Sequence, residues 1–238
     1  MQGGEARDRI AGFWRVLELE PPKDPDHLTV LLAAYGALLD RTDSVDDGEA
    51  ENWRHVTQVF LHEHILSWLP ILLARLEASG SAFYGAWAGQ LQRLLALQPL
   101  SAELVAIVAA ALREAAELPD PRSDGGEAFL SGLLAPARSG FILTRDDLAE
   151  LARELDLGRR VGERRYVLKN LLAQDAERVL AALAASARRA GEQYQPIGMP
   201  AANRGWWCAR AAASSELLVE LAAEAKELEF PAEPTETR

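Results

Sequence analysis

A single cysteine, Cys208, among 238 residues rules out an intramolecular disulfide and any Cys-x-x-Cys metal or redox pair. A reducing compartment is therefore the expected setting. Long apolar runs are missing too: VLLAAYGALL and LVAIVAAAL are the longest and fall short of a bilayer span. The N-terminal MQGGEARDRIAG has neither an apolar signal core nor a cleavage site. These absences point to a cytoplasmic protein without stable membrane insertion. The chain also lacks a GxSxG nucleophile elbow and a Gly-rich phosphate loop. Its HEH, His62 to His64, is not HExxH, because two imidazoles two residues apart leave a helix on different faces. His55 and His62 share a face, but no carboxylate or thiolate converges with them. No catalytic residue and no metal ligand is nominated, and the chain does not read as an enzyme. Apart from FIL, Phe141 to Leu143, no cluster of β-branched and aromatic residues alternates between turn signals, so strands are not expected.

What remains is helical periodicity. With 49% hydrophobic and 26% charged residues, the chain can build one sizeable core, or one large and one small helical lobe. Leu28, Leu31, Leu32, Tyr35, Leu38 and Leu39 fall on one stripe, followed by the polar stop RTDSVDDGEAEN. A second run spans Trp53 to Glu77, with a break or kink expected at Pro70. Gly80 and Ser81 precede a helix with Phe83, Tyr84, Trp87, Leu91, Leu94 and Leu95, and an Ala-rich helix begins near Ser101. LPDPRSDGGE then reads as a linker. The expected organisation is an all-α helical bundle over residues 1–117, a linker at 118–127, a C-terminal helical region at 128–230 and a disordered tail at 231–238. Beyond the linker, Thr144 should cap a helix that Gly158 closes. Further helices are expected over Arg164 to Leu172, from Asp175 to Arg189, and from Ser215 to Leu228.

Net charge is −11, and its distribution is uneven: residues 1–130 hold 10 Lys/Arg against 20 Asp/Glu, whereas the rest is nearly balanced at 15 against 16. An acidic first half disfavours nucleic acid and anionic lipid and attracts basic partners, although a merely well-solvated surface reads the same way. Tyr35, Phe60, Trp68, Phe83, Tyr84 and Trp87 lie in successive helices of that half and are expected to be mostly core. Any that line an open groove would form an apolar site with an acidic rim, suited to a peptide with basic residues beside an apolar segment. Against this stands the stretch from Leu143 to Leu172. Two amphipathic helices around a Gly-containing turn, with Arg159, Arg160, Arg164, Arg165 and Lys169, resemble a DNA-binding helix-turn-helix, though the turn is long and the chain acidic. An alternative function is thus a DNA-binding regulator, and another is a non-catalytic helical interaction domain.

DPDHL, Asp24 to Leu28, opens the first Leu-rich helix: Asp24 suits an N-cap, Pro25 the first turn, and Asp26 the positive end of the helix dipole. His27 is left over as a hydrogen-bonding group, structural or functional. Together with FLHEHILSWLPILLARLE, AFYGAWAGQLQRLL and the preceding RIAGFWRVLELEPP, this segment resembles the TorD/DmsD/NarJ family of cytoplasmic molybdoenzyme maturation chaperones over roughly residues 7–97. The matching positions are Pro25 to Leu28, and Phe60, Leu61, His64 and Trp68. The resemblance implies a non-enzymatic chaperone that binds the twin-arginine leader or apo form of a molybdopterin oxidoreductase subunit and holds it for cofactor insertion. It implies leader contacts at Asp26, His27, Tyr35, Phe60, His64 and Trp68, with capping or core roles equally open for each. Guanine nucleotide or molybdenum cofactor contact follows from the resemblance alone. Several helices usually precede the PDHL segment in the family, so its early position here implies either that those helices are absent from this chain or that C-terminal helices, its own or those of a partner protomer in a swapped dimer, supply equivalent packing. Monomer and swapped dimer are both expected states.

Overall fold

The computed structural model describes residues 5–158 and 161–229. Arg159, Arg160 and the tail 231–238 lie outside them. The described residues form helices without a strand, so the protein is all-α. Two compact units divide the chain: Met1–Glu114 with Gln195–Arg204, and Ala115–Tyr194 with Gly205–Arg238.

In the first unit α1 spans Glu5–Val16, α2 Leu28–Ser44 and α3 Asp47–Phe60. A π-helical turn, Leu61–Ile65, continues α3 directly, and α4 (Leu69–Glu77) follows at a bend of 54°. Pro70 sits in the first turn of α4, where its missing N–H has no helical partner to lose; the break therefore falls at Leu66 to Trp68, just before the proline. α5 (Ala82–Ala96) is capped by the Ser81 hydroxyl, which accepts from the Tyr84 N–H, and it packs along α4. The single Ala-rich helix expected after Ser101 is instead two short ones, α6 (Ala102–Ala106) and α7 (Ala110–Arg113). Its interruption is held by tertiary bonds that Ala periodicity does not encode: the Ala109 N–H donates to Asn203 Oδ1 at 2.9 Å and the Ala110 N–H to Glu63 Oε2 at 2.7 Å. Ile10, Leu31, Leu38, Phe60, Leu61, Ile65, Leu69, Leu73 and Leu95 form the core of this unit.

The second unit contains α8 (Pro121–Asp124), α9 (Gly126–Leu133), α10 (Pro136–Ser139), α11 (Arg145–Glu154), α12 (Arg164–Gln174), α13 (Ala176–Gln193) and, from Gly205 onward, most of α14 (Ala201–Glu229). The stretch read as a linker carries α8 and the start of α9, with the Asp120 carboxylate accepting from the Arg122 N–H. Thr144 and Asp147 complete the capping box that the sequence predicts. α11 closes differently: Asp156, not Gly158, takes the left-handed position, at φ 55°, which Asp tolerates better than most residues. α14 starts well before Ser215 because apolar residues surround it instead of forming a stripe, so periodicity alone misses its first half. Gly140 is required where it stands: at φ 77°, a Cβ there would lie 2.3 Å from the Ala211 nitrogen.

Candidate functional site

A groove of about 470 Å³ opens on the first unit between α1, α2 and α3, lined chiefly by Phe13, Trp14, Leu17, Leu38, Trp53 and Phe60. α1 supplies one wall because Phe13, Trp14 and Leu17 follow one another at helical spacing. The chain then turns: Glu18 adopts φ 59°, and the Leu19 N–H donates back to the Trp14 carbonyl at 3.0 Å. That left-handed residue folds Leu19 back into the lining. Two charges border the groove, Glu18 and Arg41, so its immediate rim is mixed and not the acidic one expected from the overall charge. The Arg41 guanidinium lies 5.2 Å from the Trp53 ring centroid. The Trp14 indole N–H is buried without a hydrogen-bond acceptor.

Of the six residues nominated from the sequence, only Phe60 lines this groove. His64 sits behind it, its ring centroid 5.6 Å from that of Phe13 and 5.2 Å from that of Phe60. Burial pushes the His64 pKa down to about 4, Glu63 opposes that shift and Arg9 reinforces it, so the ring is neutral at physiological pH. Trp68 donates its indole N–H to the His64 carbonyl at 2.8 Å. Tyr35 is core: its hydroxyl donates to Gln98 Oε1 at 2.8 Å, and burial raises its pKa to about 12.

The DPDHL reading is corrected in detail. α2 begins at Leu28, so His27 and not Asp24 is the N-cap, with Nδ1 accepting from the Thr29 N–H at 3.4 Å and lying 2.7 Å from the Thr29 hydroxyl. Pro25 is buried, Asp26 half-buried and His27 exposed. His27 stands seven residues, roughly 10 Å, along the α2 axis from the groove residue Ala34.

The remaining aromatics depart from expectation. Phe83, Tyr84 and Trp87 are exposed on α5 instead of core. The residues missed from the sequence are Phe13, Trp14, Leu17 and Trp53. For the first three the signal was helical spacing in RIAGFWRVLELEPP, and for Trp53 its place at the start of the Trp53 to Glu77 run; such spacing shows that a face is apolar but not what it faces.

Other chemistry is accounted for by partners. His62 is fully buried, with Nδ1 3.2 Å from Glu63 Oε1 and Nε2 3.2 Å from the Ile107 carbonyl. Burial works to raise the Glu63 pKa, but hydrogen bonds from His62 and the Ala110 N–H outweigh it and hold the carboxyl below its usual range. Among the described residues no three His, Cys, Asp or Glu side chains are placed to hold a metal ion. In the basic 143–172 stretch, Arg164 donates to the Leu143 carbonyl, while Arg165 and Lys169 both pair with Glu127. Much of that positive charge is thus engaged within its own unit, which weakens the case for phosphate contact.

Residues 5–74 match the family model for the nitrate reductase delta subunit. No curated protein and no solved structure gives a significant match. The matched segment comprises α1 through the first two turns of α4, the helices that build the groove and the His64 cluster. No single helix among the described residues is long and apolar enough to cross a membrane.

Proposed function

We propose, from the match of residues 5–74 to the nitrate reductase delta subunit model, that the chain is a NarJ/TorD-type maturation chaperone and binds the twin-arginine leader of a molybdopterin oxidoreductase subunit in the α1–α3 groove. It acts in the cytoplasm, holds the client for cofactor insertion and performs no catalysis. The observation that carries this reading is the coincidence of the matched segment with an aromatic groove.

The chemistry of the surroundings suggests an orientation. Asp24 and Asp26 precede α2, while Arg41 lies near its far end, about 22 Å away from Asp26 along the helix axis. Leader arginines are favoured at the aspartates and repelled by Arg41, which leaves the apolar part of the leader over Phe13, Trp14, Trp53 and Phe60. Asp26 supplies charge attraction and His27 a hydrogen bond. Phe60, fully buried, holds the groove floor together with His64 and Trp68, and Tyr35 anchors α2 beneath it. A bound peptide carbonyl is the acceptor that the Trp14 indole lacks.

Calorimetric titration with the leader peptide of a co-encoded oxidoreductase tests the reading, beside the same peptide with both arginines changed to glutamine. Binding should weaken severalfold or more for the glutamine peptide and for Asp26→Asn. Equal affinity for both peptides would remove the leader assignment.

A further inference from the structure

α5 has two apolar faces and only one is used. Ala88, Gln92 and Leu95 are buried against the first unit, whereas Phe83, Trp87, Leu94 and Leu97 are 73%, 39%, 58% and 78% exposed on the opposite side. With Gln90 between them, these residues sit at 83, 87, 90, 94 and 97, alternating steps of four and three. That is the 3.5-residue seam by which one helix packs along another. We propose that this seam is a self-association surface, on which two copies of the chain pair α5 against α5 in antiparallel fashion about a two-fold axis at Gln90.

Three observations choose a second copy as the occupant. The seam is self-complementary only in that direction: a two-fold at Gln90 sets Phe83 against the partner's Leu97, Trp87 level with the partner's Arg93 and beside its Leu94, and the two Gln90 amides against each other. Large rings thus meet smaller aliphatic side chains along the whole seam, while parallel pairing would stack ring on ring at one end and leave the other loose. A lone polar residue at the centre of an apolar seam also pins register. Charge agrees. In a chain of net charge −11, α5 has no carboxylate and a single charged residue, Arg93, so this is a face where two acidic copies can approach with little repulsion. The same symmetry sets Arg93 across from the partner's Trp87, within the range of a cation–π contact.

The size of the surface sets the strength. A 15-residue helix is about 22 Å long and about 10 Å across, so the pair buries on the order of 800 Å² in total. That falls below the roughly 1,200 Å² of stable specific interfaces and in the range of weak, transient ones, so the dimer is expected to be readily reversible, forming at about 100 µM. No element is exchanged, so it differs from a swapped dimer, and it is independent of the leader reading.

Sedimentation equilibrium of the full chain from 5 to 200 µM is the test, with Leu94→Arg and Phe83→Ser as surface variants whose folding is checked by circular dichroism. The expected result is a monomer–dimer equilibrium weakened at least tenfold by either change. In a Cys208→Ser background, a bismaleimide of about 8 Å span should link Gln90→Cys chains to dimers and fail with Ala110→Cys, which lies off the helix. A monomer at every concentration would overturn the proposal, whether the seam is covered by another part of the chain or by a different protein. So would a dimer indifferent to both variants or cross-linked equally at the two positions.

Discussion

At the scale of single residues, the histidines separate into structural roles that sequence position did not assign. His27 caps α2 with a ring nitrogen, a weaker acceptor for this role than a carboxylate. Replacing it by Asp should raise stability by about 0.5–1 kcal/mol, and replacing it by Ala should lower it by a similar amount or less, in urea titrations at pH 7. His64 gives a pH dependence whose sign follows from its depressed pKa. The unfolded ring protonates near pH 6.5 while the folded ring resists until about pH 4, so stability falls as pH drops through that window and levels off below it. The loss reaches on the order of 3 kcal/mol. His64→Phe, which keeps a ring between Phe13 and Phe60, should flatten the difference in melting temperature between pH 7 and pH 4.5. Glu18 holds a left-handed backbone without being glycine. Glu18→Gly should therefore stabilise by up to about 1 kcal/mol, and a loss instead would mean that the Glu18 side chain is needed at the groove rim.

Among the elements, the turn from α3 to α4 organises the first unit. The two histidines of HEH leave the π-helical stretch on different faces, as residues two apart do on any helix, His62 toward Ile107 and His64 toward Phe13. Glu63 then joins His62 to the start of α7, whose neighbouring amide is held by Asn203. Asn203 is fully buried and also donates to the Leu66 carbonyl. Asn203→Ala leaves the Ala109 N–H without its acceptor inside the core, and should cost about 2–3 kcal/mol in chemical denaturation. A cost under about 0.5 kcal/mol would mean that Asn203 is not holding that turn.

For the whole molecule, charge is the quantity that acts at a distance. The acidic residues of the first half set a field favouring a basic peptide even though the groove lining itself carries one charge of each sign. Leader affinity should therefore fall severalfold between 50 and 300 mM salt, because the attraction comes from exposed carboxylates within reach of screening. An affinity independent of salt would place all recognition in apolar and hydrogen-bonded contacts.

Composition and periodicity by themselves determined the all-helical class, the helix start after Ser81, the helix starts at Thr144 and Asp175, the break before α4, and the order of motifs that resembles the family. Each of these depends on neighbours within a turn or two, where side-chain spacing and backbone preference act directly. Only the tertiary structure decided which aromatic residues are enclosed. Tyr35 and Phe60 are core and Phe83 is not, although all three belong to amphipathic-looking helices, because a stripe records that a face is apolar and burial depends on which helix reaches it. The groove was likewise illegible as a site: its walls come from three helices, and Phe13, Trp53 and Phe60 converge only when α1 packs beside α2 and α3. The division of the Ala-rich segment into α6 and α7 has the same origin, since Glu63 and Asn203 hold amides some 47 and 94 residues away in the chain.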